Sequence, residues 1–519
     1  MTEVMFDDAR SVWELIDRRA DASPDRVMLF DGDRVTTFAQ YREMVLAAAA
    51  GYRDLGVETD SNVSWQLPTW TESAVLVGAL CRLGAVQNPM LPIYRYREVS
   101  FIAKQTHCSL LVTPSEWNRF DYAALAQQVA GEQPGMRTLV ADHHNPTGDP
   151  STLAPPAPPT DDPAADPVRW IFYTSGTTAE PKGAQHTDRS VMAAAIGYAK
   201  KTHVVADDIA LVAFPFTHVG GIIIGVFTPL LSGSAAVLME AWTAAASTEL
   251  IAQHRVTLGN GAPAIHAALL AEAKANPDAY RTIRDFPSGG SSKPPALHYD
   301  LMEAVPTSVG MTAGYGLTEM PILSQTDIDA PDESKRDGEG TPNEGVVIKL
   351  VDRDLNEVAE GAEGELVAKG PSLMRGYVDS SLDAVAFTPD GFFRTGDLAR
   401  FDPHGAVVIT GRLKDIIIRK GENVSAKEVE DVLFGHPKIA DVAVLGLADE
   451  DRGEMVCACV VPTDAADPPT LTEIFQFCKD GGLMTQKIPE RLEILEVMPR
   501  NPSGKVPKHE LRATLLAHG

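Results

Sequence analysis

The chain has 519 residues, of which 44% are hydrophobic, and 45 basic against 71 acidic residues give a net charge of −26. This length exceeds one ordinary domain, and the negative field argues against nucleic acid and anionic membranes as partners. The five cysteines include no CxxC pair, so we expect free thiols in a reducing compartment rather than disulfides or a metal site. The amino terminus does not resemble a signal peptide, and we expect a cytoplasmic protein without an integral membrane segment.

In chain order, helices and strands are predicted to alternate. Thr37 and Gln40 have the spacing of a capping box, and apolar residues recur after them at helical intervals as far as Gly56. A Pro- and Ala-rich stretch, residues 154–167, predicts a surface linker. The remaining predicted elements are a strand at 168–172, a strand at 209–214, a helix at 219–231 and a strand at 235–239. This alternation is typical of a parallel sheet covered by helices.

The character changes near residue 350. Short strands at 345–351 and 364–368 are separated by turn residues and predict a compact β-rich unit. From Arg412 onward the pattern is mixed α+β, with a helix at 427–433 and a strand at 440–447. The expected fold class is therefore α/β, with a β-rich unit and a smaller carboxy-terminal α+β unit.

The loop after the strand at 168–172 is built for phosphate. It carries hydroxyls, glycines and a lysine in the order Tyr-Thr-Ser-Gly-Thr-Thr-Ala-Glu-Pro-Lys-Gly, residues 173–183. Successive backbone N–H groups can form an anion nest, while the hydroxyls and Lys182 add donors and charge. It differs from the common nucleotide loop, which requires Gly-Lys-Ser/Thr after four free positions.

This loop resembles the signature of the adenylate-forming enzymes, which include acyl-CoA synthetases, peptide-synthetase adenylation domains and beetle luciferases. Five more motifs of that family follow in order: Tyr-Gly-Leu-Thr-Glu at 315–319, Gly-Glu-Leu at 364–366 with Gly-Tyr at 376–377, Arg-Thr-Gly-Asp at 394–397, Gly-Arg-Leu-Lys-Asp at 411–415 and Asn-Pro-Ser-Gly-Lys at 501–505. The chain departs from the family at Ala179, where glycine is usual, which bears on the mobility of the phosphate loop.

The resemblance implies a domain plan. A large amino-terminal AMP-binding domain would span residues 1–412, with parallel-type sheets covered by helices and a β-rich subdomain at about 345–412. A small, mobile α+β lid would span residues 413–519. Its hinge would be Lys414, where the family places the residue about which the lid rotates.

The resemblance also implies the reaction and its residues. ATP and a carboxylic acid would give an acyl-adenylate and pyrophosphate, with Mg²⁺ bound by Glu319, and coenzyme A would then take the acyl group. The catalytic residues would be Lys505, Thr318, Glu319 and His218. The nucleotide would be bound by Thr174, Ser175, Gly176, Thr177, Thr178, Lys182, Ser288, Gly289, Gly290, Gly314, Tyr315, Gly316, Thr318, Asp397 and Arg412.

Several of these residues have structural alternatives that stay open at this point. Glu319 could be a solvated acid at a helix start, Tyr315 a core residue and Asp397 a turn cap. Lys505 and Lys414 could be solvated lysines. His218 adjoins an apolar segment, where a histidine is often a packing residue.

The segment from Phe214 to Gly233 contains no Asp, Glu, Lys or Arg. It resembles the family's acyl-pocket wall, where amino-acid-activating members carry an aspartate, so we expect a hydrophobic monocarboxylic acid. Its chain length and ring system stay open, and the flanking sequence is similar to bacterial ligases for medium-chain and alicyclic acids. The expected pocket residues are His218, Val219, Gly220, Ile222, Ile223, Asn260, Gly314, Met320 and Pro321.

The acceptor is the second open choice. Lys420, Gly421 and Glu422 resemble the lid loop that lines the coenzyme A channel, and no carrier domain follows in this sequence, which favours coenzyme A over a carrier-protein phosphopantetheine. A luciferase-like oxygenase shares every motif. A catalytically inactive binding protein would have lost Lys505 or Glu319, and both are present. A homodimer is left open.

Overall fold

The computed structural model of the chain describes residues 5–174, 181–291, 293–419, 422–449, 452–500 and 506–518. The first part confirms the predicted capping box: Thr37 Oγ1 accepts from Gln40 N, and Gln40 Oε1 accepts from Thr37 N at 2.9 Å. Elements up to residue 174 are α1 (Val12–Ala22), β1 (Val27–Asp31), β2 (Arg34–Thr37), α2 (Phe38–Asp54), β3 (Asn62–Trp65), α3 (Thr71–Leu83), β4 (Val86–Pro89), α4 (Tyr96–Gln105), β5 (Leu110–Thr113), β6 (Glu116–Trp117), β7 (Phe120–Asp121), α5 (Tyr122–Gly131), β8 (Arg137–Val140) and β9 (Trp170–Thr174). The predicted linker between β8 and β9 is largely exposed coil.

The second part continues the alternation. The predicted helix at 219–231 is an α-helical turn, a π-helical turn over Ile223–Phe227 and a second α-helical stretch that ends at Ser232. The elements are β10 (Lys182–His186), α6 (Asp188–Lys201), β11 (Ile209–Val212), α7 (Val219–Ile222), α8 (Thr228–Ser232), β12 (Ala235–Leu238), α9 (Ala244–His254), β13 (Leu258–Gly259), α10 (Pro263–Ala275), β14 (Ser288–Gly289), α11 (Pro295–Ala304), β15 (Ala313–Leu317), β16 (Met320–Gln325), α12 (Asp332–Asp337) and β17 (Thr341–Pro342).

These elements form two largely parallel sheets and a smaller mixed sheet. One sheet has the order β13-β11-β12-β1-β2, with parallel pairing from β13 to β1. Another begins with β10 and β9 and continues through β4, β3, β5 and β8, all parallel from β9 onward. The mixed sheet has the order β14-β15-β16-β17. The main core lies between the first two sheets and contains α2, α3 and the helix that begins at Val219.

The β-rich unit near residue 350 is an antiparallel sheet, as its turn-separated pattern predicts. Its elements are β18 (Val347–Val351), β19 (Gly364–Lys369), β20 (Gly376–Tyr377), α13 (Asp383–Ala386), β21 (Phe393–Phe401) and β22 (Val407–Arg412). The order is β18-β19-β21-β22, while β20 leaves this unit and pairs with β10 at the edge of the parallel sheet. Through β20, the β-rich unit therefore contacts β10, one of the two strands that flank the loop after β9.

The carboxy-terminal unit confirms the expected α+β character. A 3₁₀ turn, Leu413–Asp415, connects β22 to it. Its elements are β23 (Ile416–Arg419), β24 (Glu422–Ser425), α14 (Ala426–Leu433), β25 (Ile439–Asp449), β26 (Gly453–Pro462), α15 (Leu471–Asp480), β27 (Arg491–Ile494) and α16 (Lys508–His518). It has its own apolar core, in which α14 and α15 cover one face of the β25–β26 hairpin.

The cysteines are free thiols, as their spacing predicts. Cys108, Cys457, Cys459 and Cys478 are buried and Cys81 is partly buried. Within the described ranges, no helix combines the length and the apolar composition that crossing a membrane requires.

Candidate active site

The phosphate loop lies between two paired strands. Thr174 ends β9 and stands opposite Lys182, the first residue of β10, in antiparallel register. The predicted phosphate ligands Ser175, Gly176, Thr177 and Thr178, together with Ala179, lie outside the described residues. The ends of the loop are therefore fixed side by side, and Lys182 Nζ lies 5.5 Å from the ring centre of Tyr377.

Glu319 occupies a tight turn rather than a helix start. Thr318 and Glu319 connect β15 to β16, whose flanking residues Leu317 and Met320 are paired. The Glu319 side chain is 8% exposed, and Tyr377 Oη donates to its Oε1 at 2.7 Å. Burial, together with the adjacent Glu319 carboxylate, raises the pKa of Tyr377 above its usual range, so this phenol stays a donor. One carboxylate oxygen of Glu319 is thus oriented by Tyr377, which fits a ligand for Mg²⁺ through the other oxygen.

A buried histidine supports the same turn. His186 Nε2 lies 2.9 Å from the carbonyl oxygen of Thr318, and its Nδ1 lies 3.0 Å from Ser190 Oγ. Burial lowers the pKa of His186 to about 4, so the ring is neutral at pH 7 and can donate to the Thr318 carbonyl. The sequence gives no signal for this role, because His186 lies beyond the phosphate motif and reaches Thr318 only through the fold.

Asp397 is the centre of a polar cluster on the β-rich unit. Asp397 on β21 pairs with Arg412 on β22, so their side chains share a face. Arg412 Nε donates to Asp397 Oδ1 at 2.6 Å, and Tyr315 Oη donates to Asp397 Oδ2 at 2.6 Å. Burial, followed by the neighbouring Asp397, raises the pKa of Tyr315 well above its usual range. Asp397 itself is 2% exposed, and a second nitrogen of Arg412 also donates to its Oδ2 at 3.5 Å. Oδ1 accepts one hydrogen bond and keeps a further lone pair for a ligand hydroxyl.

The motifs of this region also bind one another. Arg394 makes a two-point contact with Glu365, with Nε to Oε1 at 3.2 Å and the second nitrogen to Oε2 at 2.6 Å. This bidentate pair connects the Arg-Thr-Gly-Asp motif to the Gly-Glu-Leu motif on the next strand. Tyr377, from the Gly-Tyr motif, contacts Glu319 of the Tyr-Gly-Leu-Thr-Glu motif. Some motif residues therefore hold other motif residues in place.

The glycine turn lies beside Tyr315. β14 pairs in parallel with β15, which places Gly289 next to Gly314. A Cβ on Gly289 would lie 3.1 Å from the Gly314 carbonyl oxygen, and Gly290 has a φ of +88°, which side chains rarely adopt. Ser288 Oγ is buried and has no hydrogen-bond partner among the described residues.

The cleft beside Tyr315 is bounded on its far side by the carboxy-terminal unit. It has a volume of about 240 Å³ and is lined by Gly290, Tyr315, Asp397 and Arg412 on one side. The other wall comes from α14 and from the chain on either side of the last motif, including Lys427, Glu430, Arg500, Val506 and Lys508. The cations of this wall are paired with acids, Lys508 with Glu430 at 2.6 Å and Arg500 with Asp441 at 2.6 Å. Sequence reasoning did not identify these residues.

The structure describes only some of the predicted site residues of the carboxy-terminal unit. Lys505, Lys420 and Gly421 lie outside the described residues. Glu422 is exposed at the start of β24, opposite Arg419. Lys414 lies in the short turn between the β-rich unit and the carboxy-terminal unit.

The predicted acyl-pocket residues fall into separate places. His218 caps the helix that follows it, its Nδ1 accepting from Gly220 N at 3.1 Å, and Phe214 stacks on its ring. Val219, Ile222 and Ile223 are buried in the main core. Asn260 is buried and accepts from Tyr198 Oη at 2.6 Å. Pro321 is buried, and Met320 packs into the cluster of the β-rich unit.

Strand β16 carries an irregularity that the sequence does not predict. The pairing with β15 shifts between Tyr315 and Leu317, and Ile322 has a φ of +41°. Positive φ is strained for a β-branched residue. A Cβ on Gly316 would lie 2.3 Å from Ile322 N, so only glycine fits there. Ile322 packs against the main core.

The comparisons with known proteins agree with this geometry. The family model described as AMP-binding enzyme matches residues 16–378, and the model described as AMP-binding enzyme C-terminal domain matches residues 428–505. The chain belongs to the AMP-binding, adenylate-forming enzyme family, and it is an AMP-forming acid–thiol ligase.

Two relatives and one solved structure illustrate the range of proteins to which the chain is similar. The chain is 30% identical to the medium-chain fatty-acid–CoA ligase of Escherichia coli (strain K12), over 96% of this chain and 89% of that protein. It is 30% identical to the salicyl-AMP ligase / salicyl-S-ArCP synthetase of Mycobacterium tuberculosis, over 94% and 88%. ATP-bound MatB from Rhodopseudomonas palustris superimposes with a TM-score of 0.87 at 25% identity, covering 97% of this chain and 99% of that one. These comparisons establish the acid–thiol ligase class.

Proposed function

We propose that the chain is an ATP-dependent acyl-CoA ligase for a hydrophobic monocarboxylic acid, of the medium-chain, alicyclic or polycyclic type. The observation that supports the acid class is the segment from Phe214 to Gly233, which has no charged residue and in which Val219, Ile222 and Ile223 are buried apolar side chains. An ammonium or second carboxylate would be unpaired against such a segment. The fatty-acid ligase of Escherichia coli supports the same class.

In the first half-reaction, a carboxylate oxygen of the acid attacks the α-phosphorus of ATP, and the bond from that phosphorus to pyrophosphate breaks. The product is a mixed anhydride with AMP as its leaving group. Thr318 is assigned to the α-phosphate and Lys505 to the oxygens that gain charge in the transition state. Mg²⁺, when bound by Glu319, would neutralise charge on the phosphate oxygens.

The nucleotide is proposed to bind through the polar cluster of Asp397. Both Asp397 oxygens are already oriented, one by Arg412 and one by Tyr315, so the carboxylate is held in place before the ribose arrives. Such preorganisation lowers the entropy that binding must lose. The loop between Thr174 and Lys182 is proposed to hold the β- and γ-phosphates, with Ser288, Gly289 and Gly290 beside the base.

In the second half-reaction, the thiol of coenzyme A attacks the acyl carbonyl, loses its proton, and expels AMP to form the thioester. Lys505 has to leave the site before the thiol can approach, and rotation of the carboxy-terminal unit about Lys414 would achieve this. Glu422, with Lys420 and Gly421, is assigned to the thiol channel. His218, at the start of the apolar helix, is assigned to the carboxylate end of the acyl pocket.

The competing acceptor is a carrier-protein phosphopantetheine thiol, which the salicyl-S-ArCP synthetase of Mycobacterium tuberculosis brings into consideration. Pyrophosphate release should be measured across straight-chain, alicyclic and aromatic acids, and the thioester then identified by mass spectrometry with coenzyme A or a phosphopantetheinylated carrier protein. Acyl-CoA formation with a hydrophobic acid supports the proposal. Thioester only on the carrier protein would move the assignment to the alternative, and no pyrophosphate release with any acid would refute both.

Lys505→Ala provides a control for the order of steps. Adenylation should fall by ~10²–10³, the usual scale for losing one transition-state donor. Thioester formation from a pre-made acyl-adenylate should survive. Equal loss in both half-reactions would contradict the role assigned to Lys505.

A further inference from the structure

Gln325 lies beside the glycine that precedes the Tyr-Gly-Leu-Thr-Glu motif. It is the last residue of β16 and pairs with Gly314 of β15 in antiparallel register, so the two positions face the same side of the sheet. Gly314 presents no side chain, and a Cβ there would lie 2.3 Å from Gln325 Oε1. The Gln325 amide therefore occupies the space that a larger residue at position 314 would fill.

The Gln325 amide is buried with an unused donor. The side chain is 2% exposed, and Nε2 has no hydrogen-bond partner within the described part of the chain. Buried Gln66 and Gln87 differ, because the Nε2 of Gln66 donates to Leu91 O at 3.0 Å and that of Gln87 to Val77 O at 3.1 Å. A buried N–H without an acceptor is unfavourable and requires an explanation, and a ligand atom is one.

The space beside Gly314 faces helix α6. Thr341 pairs with Gln325 on the opposite side from Gly314 and accepts from Lys201 Nζ, at the end of α6, at 2.9 Å. Lys201 therefore contacts the face that the Gln325 side chain shares. The Cγ2 of Ile322 lies 3.6 Å from the Cβ position of residue 314. The amide is thus next to Ile322 and to Gly314, which is one of the residues expected in the acyl pocket.

We propose that Gln325 is a specificity-determining residue that donates a hydrogen bond to an uncharged oxygen acceptor on the tail of the acid. This inference rests on the proposed function and narrows its substrate. The acid would carry a keto oxygen in an otherwise apolar body. A neutral amide donor suits such an uncharged acceptor.

The test compares acids that differ only in the acceptor. Pyrophosphate release is measured with octanoate and its oxo derivatives, and with cyclohexanecarboxylate and its ring-ketone derivatives. The wild-type protein should use at least one oxo acid with a kcat/KM about tenfold above that of its parent acid, the scale of one hydrogen bond. Gln325→Leu should abolish that preference, so that the oxo acid and its parent acid are used with similar kcat/KM values.

Two further variants separate recognition from folding. Gln325→Glu keeps the shape of the side chain and replaces the amide donor, so it should also lose the preference for oxo acids. If Gln325→Leu does not fold, this variant alone tests the role of Gln325. Gln87→Leu removes a buried glutamine whose amide donates to a backbone carbonyl, and it should keep the preference.

The outcomes distinguish the two proposals. If parent acids release pyrophosphate and no oxo acid is preferred, the role of Gln325 is overturned and the proposed function stands. A preference that persists in both Gln325 variants also overturns it. If no acid of either series releases pyrophosphate, the inference is overturned together with the hydrophobic-acid assignment.

Discussion

The proposed nucleotide side and the proposed acyl side of the active site are built in different ways. On the nucleotide side, charged and polar groups hold one another: Arg412 and Tyr315 both contact Asp397, and Tyr377 contacts Glu319. On the proposed acyl side, the helix that begins at Val219 is apolar, and strand β16 contains strained Ile322 and the buried amide of Gln325, whose donor is unused within the described part of the chain. The first arrangement is proposed to bind ATP, which every turnover shares, and the second to select one acid among many. Substitutions on the two sides should therefore affect different kinetic parameters.

The largest effect is expected at the metal position. Glu319→Ala removes a buried carboxylate that Tyr377 orients, and kcat should fall by about a hundredfold or more, with an altered dependence on Mg²⁺ concentration. Steady-state pyrophosphate release over a magnesium titration measures both quantities.

Glu365→Ala is the matched control for this prediction. Glu365 is similarly buried, at 6% exposure, but it pairs with Arg394. Its loss should lower the melting temperature and leave the magnesium titration unchanged. If Glu319→Ala also leaves that titration unchanged, Glu319 is not a metal ligand.

The next effect concerns ribose binding. Asp397→Asn removes the charge that faces Arg412 and one strong acceptor, so the KM for ATP should rise by about 10- to 100-fold, while the KM for the acid changes little. Asp402→Asn tests the simpler role of a turn cap, because Asp402 Oδ1 accepts from the backbone N–H groups of His404 and Ala406. It should leave the KM for ATP unchanged. Equal effects of the two variants would reduce Asp397 to a structural cap.

The difference between the two sides also explains what the sequence could predict. Phosphate, ribose and metal are the same in every turnover, so the residues proposed to bind them lie in motifs, and the sequence alone predicts Glu319, Asp397 and Arg412 for these roles. The helix at 219–231 and the strands of the β-rich unit followed from periodicity, with shifts of a few residues at their ends.

Contacts made through the fold could not be predicted in this way. His186 reaches Thr318 across 132 positions, and Tyr377 reaches Glu319 across 58. The distorted pairing of β16 and the unused donor of Gln325 depend on register and burial, which no local pattern encodes. Met320 follows the motif directly in sequence but packs into the β-rich unit, because a two-residue turn reverses the chain before it.

A smaller and more selective effect is expected from Gly314→Ala. The added Cβ would lie 2.3 Å from Gln325 Oε1, so the amide has to move. The kcat/KM for the preferred acid should fall by about tenfold, with little change in the KM for ATP. Gly131→Ala, at a helical position with nothing within 4 Å, should be silent. An increase in the KM for ATP alone would place residue 314 on the nucleotide side instead.

The last prediction concerns stability at low pH and uses a feature that both sides share. A neutral histidine is buried under each side: His186 below the Thr318 turn, and His266, whose Nε2 lies 2.8 Å from the Gly259 carbonyl oxygen next to Asn260. Burial lowers the pKa of each to about 4. Between pH 6.5 and 4 the unfolded chain binds these protons and the folded chain does not, so the free energy of unfolding decreases as pH falls through this window. Each histidine should lower the free energy of unfolding by about 2 kcal/mol at pH 5.

Urea unfolding at pH 7 and pH 5 measures this loss of stability. The loss should be smaller in His186→Gln and in His266→Gln than in the wild type, whereas His404→Gln, at an exposed turn, should retain the full loss. If all three variants lose as much stability as the wild type, neither buried histidine accounts for the acid sensitivity; if only one variant is protected, only that histidine contributes to it.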